Sequence, residues 1–397
     1  MTKKWVNIAD VLFFQEGPGV RNTQYTTSGV KLLNVANLVD GKVDLSKSDR
    51  YISEEEAYRK YRHFLCDDGD FVIASSGIKV EYIDKKMGFV DASMLPLCMN
   101  TSTIRFKVLD ENQLRIRYFM YYLKSKHFKE QLTKQITGSA QLNYGPSHLK
   151  KMIMPLIDIT VQDEIISCMD KLQSIIETRQ RELIELDRLM KARFVELFGD
   201  PRSNPFGFEK KRLKDTCKVI TGNTPSRAIA EYYGDYIEWI KTDNIVSGIL
   251  NPTQATESLS EKGMNVGRTV EKDSILMACI AGSIASIGRV CITDRTVAFN
   301  QQINAVVPEQ YNILFLYVLF QMSKDYLVED INMALKGILS KSKLEEKEFI
   351  IPPMDLQEQF SDFVKQVNKS KFDTMTFAPI YAIINLYLHT YFYQGRR

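Results

Sequence analysis

The residue types that most often carry chemistry are present, but they do not assemble into a catalytic pattern. The histidines at positions 63, 127, 148 and 389 are scattered, and none stands with a Cys or Asp in the order a nucleophilic triad needs. The six cysteines, at 66, 98, 168, 217, 279 and 291, form no Cys-x-x-Cys pair and have no His at ligand spacing. They read as free, mostly buried thiols of a cytoplasmic chain, with no metal site. Two Glu-x-Lys triplets, Glu209–Lys211 and Glu345–Lys347, lack the preceding Pro-Asp of a metal-dependent nuclease and read as solvated charge. There is no Gly-x-x-x-x-Gly-Lys-Ser/Thr phosphate loop and no Gly-x-Gly-x-x-Gly; Gly17-Pro18-Gly19 reads as a turn. Ile351-Pro352-Pro353-Met354 lacks the leading Asn or Asp that would hold an amine for methyl transfer. The expected catalytic, metal and cofactor content of the chain is therefore none.

The elements that must position whatever the chain does are easier to read. With 397 residues the prior is two or three domains. A composition of 44% hydrophobic and 25% charged residues is that of a globular protein rather than a disordered one. The formal charge of +3 excludes a basic field over the whole surface, while a local patch can still bind phosphates. The basic start, MTKKWVNIADVLFF, has too short an apolar run for a signal peptide. From Thr374 to Gln394 no residue is charged, but Pro379, Asn385 and His389 interrupt the stretch, so no membrane span is expected.

The chain repeats itself. Residues 29–45, GVKLLNVANLVDGKVDL, match 236–252, YIEWIKTDNIVSGILNP, with Asn37 on Asn244 and Gly41 on Gly248. GDFVIAS at 69–75 matches DSILMAC at 273–279, and MPLIDITVQDE at 154–164 matches IPPMDLQEQFS at 351–361, with Pro155 on Pro352 and Gln162 on Gln359. The offset drifts from 207 through 204 to 197, as short loop insertions would make it. A period near 200 residues is too long for a solenoid and means two copies of one domain. Each copy begins with short strands (KLLNVANL, DFVIAS and STIRFKV; then DSILMACI and TVAFNQQINAVV). Helices are expected over Ile116–Gln135 and Asn312–Lys336, each followed by a Gly-bearing loop, an extended Pro segment and a final helix. The class is α+β.

From Gln162 to Phe198 there is no Gly or Pro. Ile165, Met169, Leu172, Ile176, Arg179, Leu183, Leu186, Met190, Arg193 and Leu197 follow one another in steps of four and three, the seam of a coiled coil. Gly199-Asp200-Pro201 stops the helix. The second copy starts the same way at Phe360, Val364 and Val367, but Lys371 and Thr374 then fall on the seam, so its helix is expected to be shortened or to end in an atypical tail. Two such copies imply pseudo-twofold symmetry with the two long helices antiparallel. The boundaries read as a first domain at 1–160, a first spacer helix at 161–200, a second domain at 201–357 and a second spacer helix at 358–397.

The duplicated domain, the heptad helix ending in FVELFGDP (194–201), the MPLIDITVQDEI and IPPMDLQEQF segments and the DGDFVIASSG and GSAQLN stretches resemble the specificity subunit of type I restriction–modification systems. The resemblance covers about residues 3–372. It implies two target-recognition domains, each reading one half of a bipartite site on double-stranded DNA, with the helices fixing the unread gap. It also implies a non-catalytic chain that holds two copies of a methyltransferase subunit and, through them, a restriction and translocase subunit. S-adenosylmethionine, ATP and Mg would then belong to the partners.

Base edges are read by amide, hydroxyl and guanidinium groups. The first domain offers these at Gln15, Arg21, Ser76, Gln141, Asn143 and Tyr144, the last as a stacking ring. The second offers Thr221, Asn223, Thr224 and Asn244, together with the ammonium of Lys241. Lys79, Arg227, Arg289, Lys336 and Lys341 are candidate phosphate contacts. Two other functions compete: a self-contained restriction enzyme built on the same recognition domains, and a coiled-coil adaptor without a DNA role.

Overall fold

The computed structural model describes residues 4–136, 143–331 and 337–375. The chain divides into two compact units, the first ending at Glu177 and the second beginning at Thr178. The candidates Gln141 and Lys336, and most of the uncharged C-terminal stretch, lie outside the described residues.

In the first unit a four-stranded antiparallel sheet runs in the order Leu12–Glu16, Thr103–Val108, Phe71–Ala74, Met87–Phe89. Phe71 to Ala74 are all buried because the strand separates two cores. Phe71 and Ile73 face one with Phe106 and Phe119, while Val72 and Ala74 face the other with Leu33 and Met99. An unbroken apolar run is what a strand buried on both faces requires. A smaller sheet pairs Val30–Leu33 with Tyr51–Ile52 and, in parallel, with Leu97–Met99. Lys4–Asn7 pairs with Ile153–Leu156 and closes the unit.

The second unit repeats this plan. Its four-stranded sheet runs Cys217–Thr221, Ile303–Pro308, Ile275–Ala278, Val290–Ile292. Ile275 and Met277 again face one core, and Leu276 and Ala278 the other. Ile237–Ile240 runs parallel to Val297–Phe299, and Glu209–Arg212 pairs with Glu348–Ile351. The duplication is thus one of strand order and register as well as of sequence.

Several expected elements are shorter than their sequence runs. KLLNVANL stops being a strand at Leu33, where the Asn34 N–H donates to the Asn37 side chain and turns the chain. TVAFNQQINAVV splits into Val297–Phe299 and Ile303–Pro308 around Asn300. The single helix expected over Ile116–Gln135 is two, Ile116–Lys124 and Lys126–Gln135, because the Ser125 hydroxyl caps the second by accepting from the Phe128 N–H. In the other copy the break falls at Ser323, between Ile313–Met322 and Lys324–Val328.

The spacer helix runs unbroken over 40 residues, Ile159–Phe198. Ile165 and Met169 belong to the core of the first unit and Leu172 packs against it; Ile176 is buried. Met190 belongs to the core of the second unit, Leu186 and Leu197 pack against that core, and Leu183 is half-buried. The seam reading omits Phe194 and Phe198, which are fully buried and contact Phe315 and Phe360. Gly199 ends the helix at φ 70°, and a Cβ there would lie 2.3 Å from the Pro205 ring, so no other residue fits.

The C-terminal helix is Met354–Met375. Within the second unit it runs antiparallel to the end of the spacer helix: Phe360 meets Phe194 and Phe198, and eleven residues later Lys371 meets Asp187. Lys371 therefore does not end the seam, as its charge suggested. It is buried in the seam and neutralised by the Asp187 carboxylate, a polar pairing of the kind that fixes helix register. Among the described residues no helix is long and apolar enough to cross a membrane.

Candidate nucleic-acid interface

The two scaffolds are held by the same polar pins. Asn37 accepts from the Asn34 N–H and donates to the Asp44 carbonyl, both at 3.0 Å. Asn244 accepts from the Lys241 N–H at 3.0 Å and donates to Thr253 and to the Gln254 carbonyl. Gly41 and Gly248 follow at φ 81° and 82°, a left-handed turn that glycine adopts without strain. Gly17 and Gly222 press against the carbonyls of Asn100 and Asn300, where an added Cβ would stand 2.1 and 2.2 Å away. The first turns of the two long helices are tied by Gln162, which accepts from the Arg115 N–H at 2.9 Å, and by Gln357, which accepts from the Asn312 N–H at 2.9 Å. The structural partner of Gln162 is thus Gln357, not the Gln359 of the sequence match.

These pins correct two candidates. Asn244 is 7% exposed and its amide is spent on the turn, so it is a scaffold residue rather than a base reader. Tyr144 is 2% exposed, its hydroxyl donates to the Ala74 carbonyl at 3.0 Å, and burial pushes its ionisation well above the ordinary range. It is a core tyrosine without a face to stack on a base.

The remaining candidates of the first unit are spread over a strand and several loops. Gln15 is half-buried and accepts from Arg105 at 2.8 Å. Arg105, itself buried, also donates to the carbonyls of His63 and Leu65 and to Asp70. Ser76 is half-buried and forms a β-bridge with the exposed Asn143. Arg21 is exposed, with its N–H held by Gln24, and Lys79 is exposed where a short 3-10 helix begins. Arg50 lies over the Tyr25 ring at 5.3 Å, a contact between two residues that belong to no motif.

The second unit gathers its candidates. Thr221 donates to Asn304 at 2.8 Å, Thr224 bonds to Gln301, and Asn223 donates to the Val266 carbonyl at 2.8 Å. The Asn223 Oδ1 is buried without a hydrogen-bond partner. The indole N–H of Trp239 donates to the Asn223 carbonyl, and the Tyr233 hydroxyl donates to the Pro225 carbonyl at 2.7 Å, so the loop 221–227 rests on two rings. Arg227 lies 4.4 Å from the Tyr233 ring centroid and 5.1 Å from that of Trp239. Glu257 receives Arg227 on one carboxylate oxygen at 2.7 Å and Lys241 on the other at 2.6 Å. Hydrogen bonds from Lys241 and then Arg227 hold its carboxyl below the usual range. Arg289 reaches the same neighbourhood, donating to the carbonyl of Thr242 at 3.2 Å. Lys341 pairs instead with Glu345 on its own short helix. Trp239, Tyr233 and Glu257 were not foreseen; the only sequence signal was an aromatic and acidic set flanking a Gly-punctuated polar loop.

No group of His, Cys, Asp and Glu among the described residues could hold a metal ion. All six cysteines are free thiols.

A scaffold present twice, with buried pins in common and exposed polar loops that differ, defines a paired recognition protein. The model of the type I restriction modification DNA specificity domain matches residues 22–188 and again 205–379, and the chain belongs to that family, in two copies. It is 33% identical over 146 residues to the type I restriction enzyme HindI specificity subunit of Haemophilus influenzae, a match spanning 35% of this chain and 31% of that one. It is 24% identical over 302 residues to the MjaIX specificity subunit of Methanocaldococcus jannaschii, spanning 70% and 68%. In fold it is similar to the crystal structure of a type I restriction–modification system S subunit from M. genitalium, with a TM-score of 0.59, 14% identity and coverage of 100% and 97%. A chain from a structural study of complex assembly and conformational transition of the type I system aligns at a TM-score of 0.54 with 15% identity, covering 98% and 97%.

Proposed function

We propose that the chain is the DNA sequence-specificity subunit of a type I restriction–modification complex, and that each copy of the domain reads one half of a bipartite duplex target. The observation that carries this is the contrast between shared pins and divergent loops. Counting from the matched Gly17 and Gly222, the exposed Thr224 of the second unit stands where the first has the exposed Gly19, so one scaffold presents two different loop surfaces. The recognition domains span about 1–160 and 201–357, and the helices between and after them set the unread gap between the half-sites. Two methyltransferase subunits and a restriction and translocase subunit are the partners, in the cytoplasm, and they bring S-adenosylmethionine, ATP and Mg; this chain contributes recognition and no catalysis.

The test is binding of the full chain to a randomised duplex library at several salt concentrations. Two enriched sequence blocks separated by an unread gap, bound more weakly as salt rises, are expected, because phosphate contacts release counterions. An absence of enrichment, or affinity indifferent to salt, would contradict the proposal.

A further inference from the structure

The second unit contains a cluster with no counterpart among the described residues of the first: Arg227 laid over Tyr233 and Trp239, with Glu257 bonded to both Arg227 and Lys241. We infer that Arg227 is a specificity-determining residue that reads the major-groove edge of a guanine, and that Glu257 is the positioning residue which aims it; this rests on the DNA-recognition reading above.

Three features separate this arrangement from a phosphate contact. The side chain of Arg227 is 56% exposed, so the guanidinium is presented to solvent, yet it is fixed from beneath by rings and from the side by a carboxylate. A surface cation that merely meets phosphates needs no such construction. Ordering the side chain beforehand lowers the entropy lost on binding, which matters most where geometry carries the information. The second feature is the carboxylate itself. Glu257 places a negative charge within hydrogen-bond distance of both cations, which weakens their attraction for phosphate. It leaves intact the ability of the remaining guanidinium N–H groups to meet two acceptors in one plane. Guanine O6 and N7 are such a pair, and the planar fork of arginine matches them where a lysine ammonium does not. The third is the surrounding surface. The exposed Thr224, three residues before Arg227 in the same loop and bonded to the exposed Gln301, and the half-exposed Lys241, which shares Glu257 with Arg227, add groups able to contact neighbouring bases.

The experiment selects bound duplexes from a randomised library with full-length wild type, R227K, R227A and E257Q, then measures affinity for the enriched site and its single-base variants across salt. Wild type is expected to show a guanine in one half-site. R227K keeps the charge and so should keep the salt dependence, while preference for that guanine falls by roughly 5- to 150-fold, the discrimination one bidentate pair supplies. The other half-site, and the remaining positions of the same half-site, should be unchanged, which also reports that both units are folded. E257Q should lose discrimination at the same position while binding to unrelated duplexes strengthens, an effect that a purely structural role would not produce. The assignment is overturned if R227K leaves the motif intact, or if R227A weakens binding equally on every sequence and lowers the salt slope by about one, the signature of a phosphate contact. A wild-type chain that enriches no motif would overturn the recognition reading itself, and the assignment with it.

Discussion

Asp187 and Lys371 show what a single misplaced charge is for. Lys371 is buried and its partner is half-exposed, so D187A leaves an ammonium without its counter-charge inside a helix seam. A cost of about 3–5 kcal/mol is the range for a fully buried pair; with Asp187 partly in water we expect about 1–3 kcal/mol. The double variant D187L/K371L should be close to neutral or stabilising, since an apolar pair of similar volume removes the desolvation cost. Urea unfolding of the three proteins checks this; equal losses in the single and double variants would mean that the loss comes from packing at the site and not from an uncompensated charge. The thiols make a second residue-scale prediction. Burial pushes Cys66, Cys98, Cys217, Cys279 and Cys291 up to about 12. Unfolded thiols ionise near ~8.5, so between there and 12 the unfolded chain releases protons that the folded chain keeps. Stability present below pH ~8.5 should therefore fall as pH rises, by roughly 1 kcal/mol per thiol at pH ~9.5. Under native conditions at neutral pH a thiol reagent should label the half-exposed Cys168 first and the other five only on unfolding.

At the scale of elements, the two glutamines at the helix starts act as equivalent clamps. Gln162 and Gln357 are almost fully buried, and each joins the first turn of a long helix to the backbone at the start of an earlier helix of its unit, Ile116–Lys124 or Ile313–Met322. Replacing either by Ala orphans buried backbone groups, and we expect a loss of about 1–3 kcal/mol, read by thermal unfolding. F194A should cost about 3–5 kcal/mol, whereas I184A, on the same helix but 52% exposed, should fall within about 0.5 kcal/mol of wild type. The contrast shows what the sequence could reveal. The 4–3 spacing of the spacer helix was legible because it repeats along the whole element, and the duplication was legible because its pins recur as Asn37 and Asn244, Gly41 and Gly248. Phe194 and Phe198 escaped because they lie beside the 4–3 seam, where they meet both Phe360 of the C-terminal helix and Phe315 of the second unit's core. The break at Ser125 escaped because a serine inside a helical pattern becomes a cap only when the chain turns there. Among the candidate readers, Asn244 and Tyr144 have suitable chemistry for contacting bases, but burial is a property of the fold, and a polar loop residue does not announce which side of the turn it faces. Glu257 and Trp239 escaped for the converse reason: they reach Arg227 across 30 and 12 residues of sequence, from strand and loop segments with no motif of their own.

At the scale of the molecule, the account makes each unit a self-contained reader. Each has its own four-stranded sheet, its own parallel strand pair and its own set of pins, so neither needs the other to shape its loops. Inserting four residues after Arg188 would lengthen the spacer helix by about 6 Å at 1.5 Å per residue. Because four residues nearly complete a helical turn, the seam can continue as a stutter. We expect the half-site sequences to survive and the unread gap to widen by roughly two base pairs at 3.4 Å each. The measurement that tests the central claim most directly is the motif selected by a chimaera in which residues 3–150 are replaced by the matching segment of a relative with a different target. The account predicts that one half of the bipartite motif changes to the relative's and the other half stays as in wild type. A chimaera that changes both halves, or neither, would contradict two independent readers on one chain.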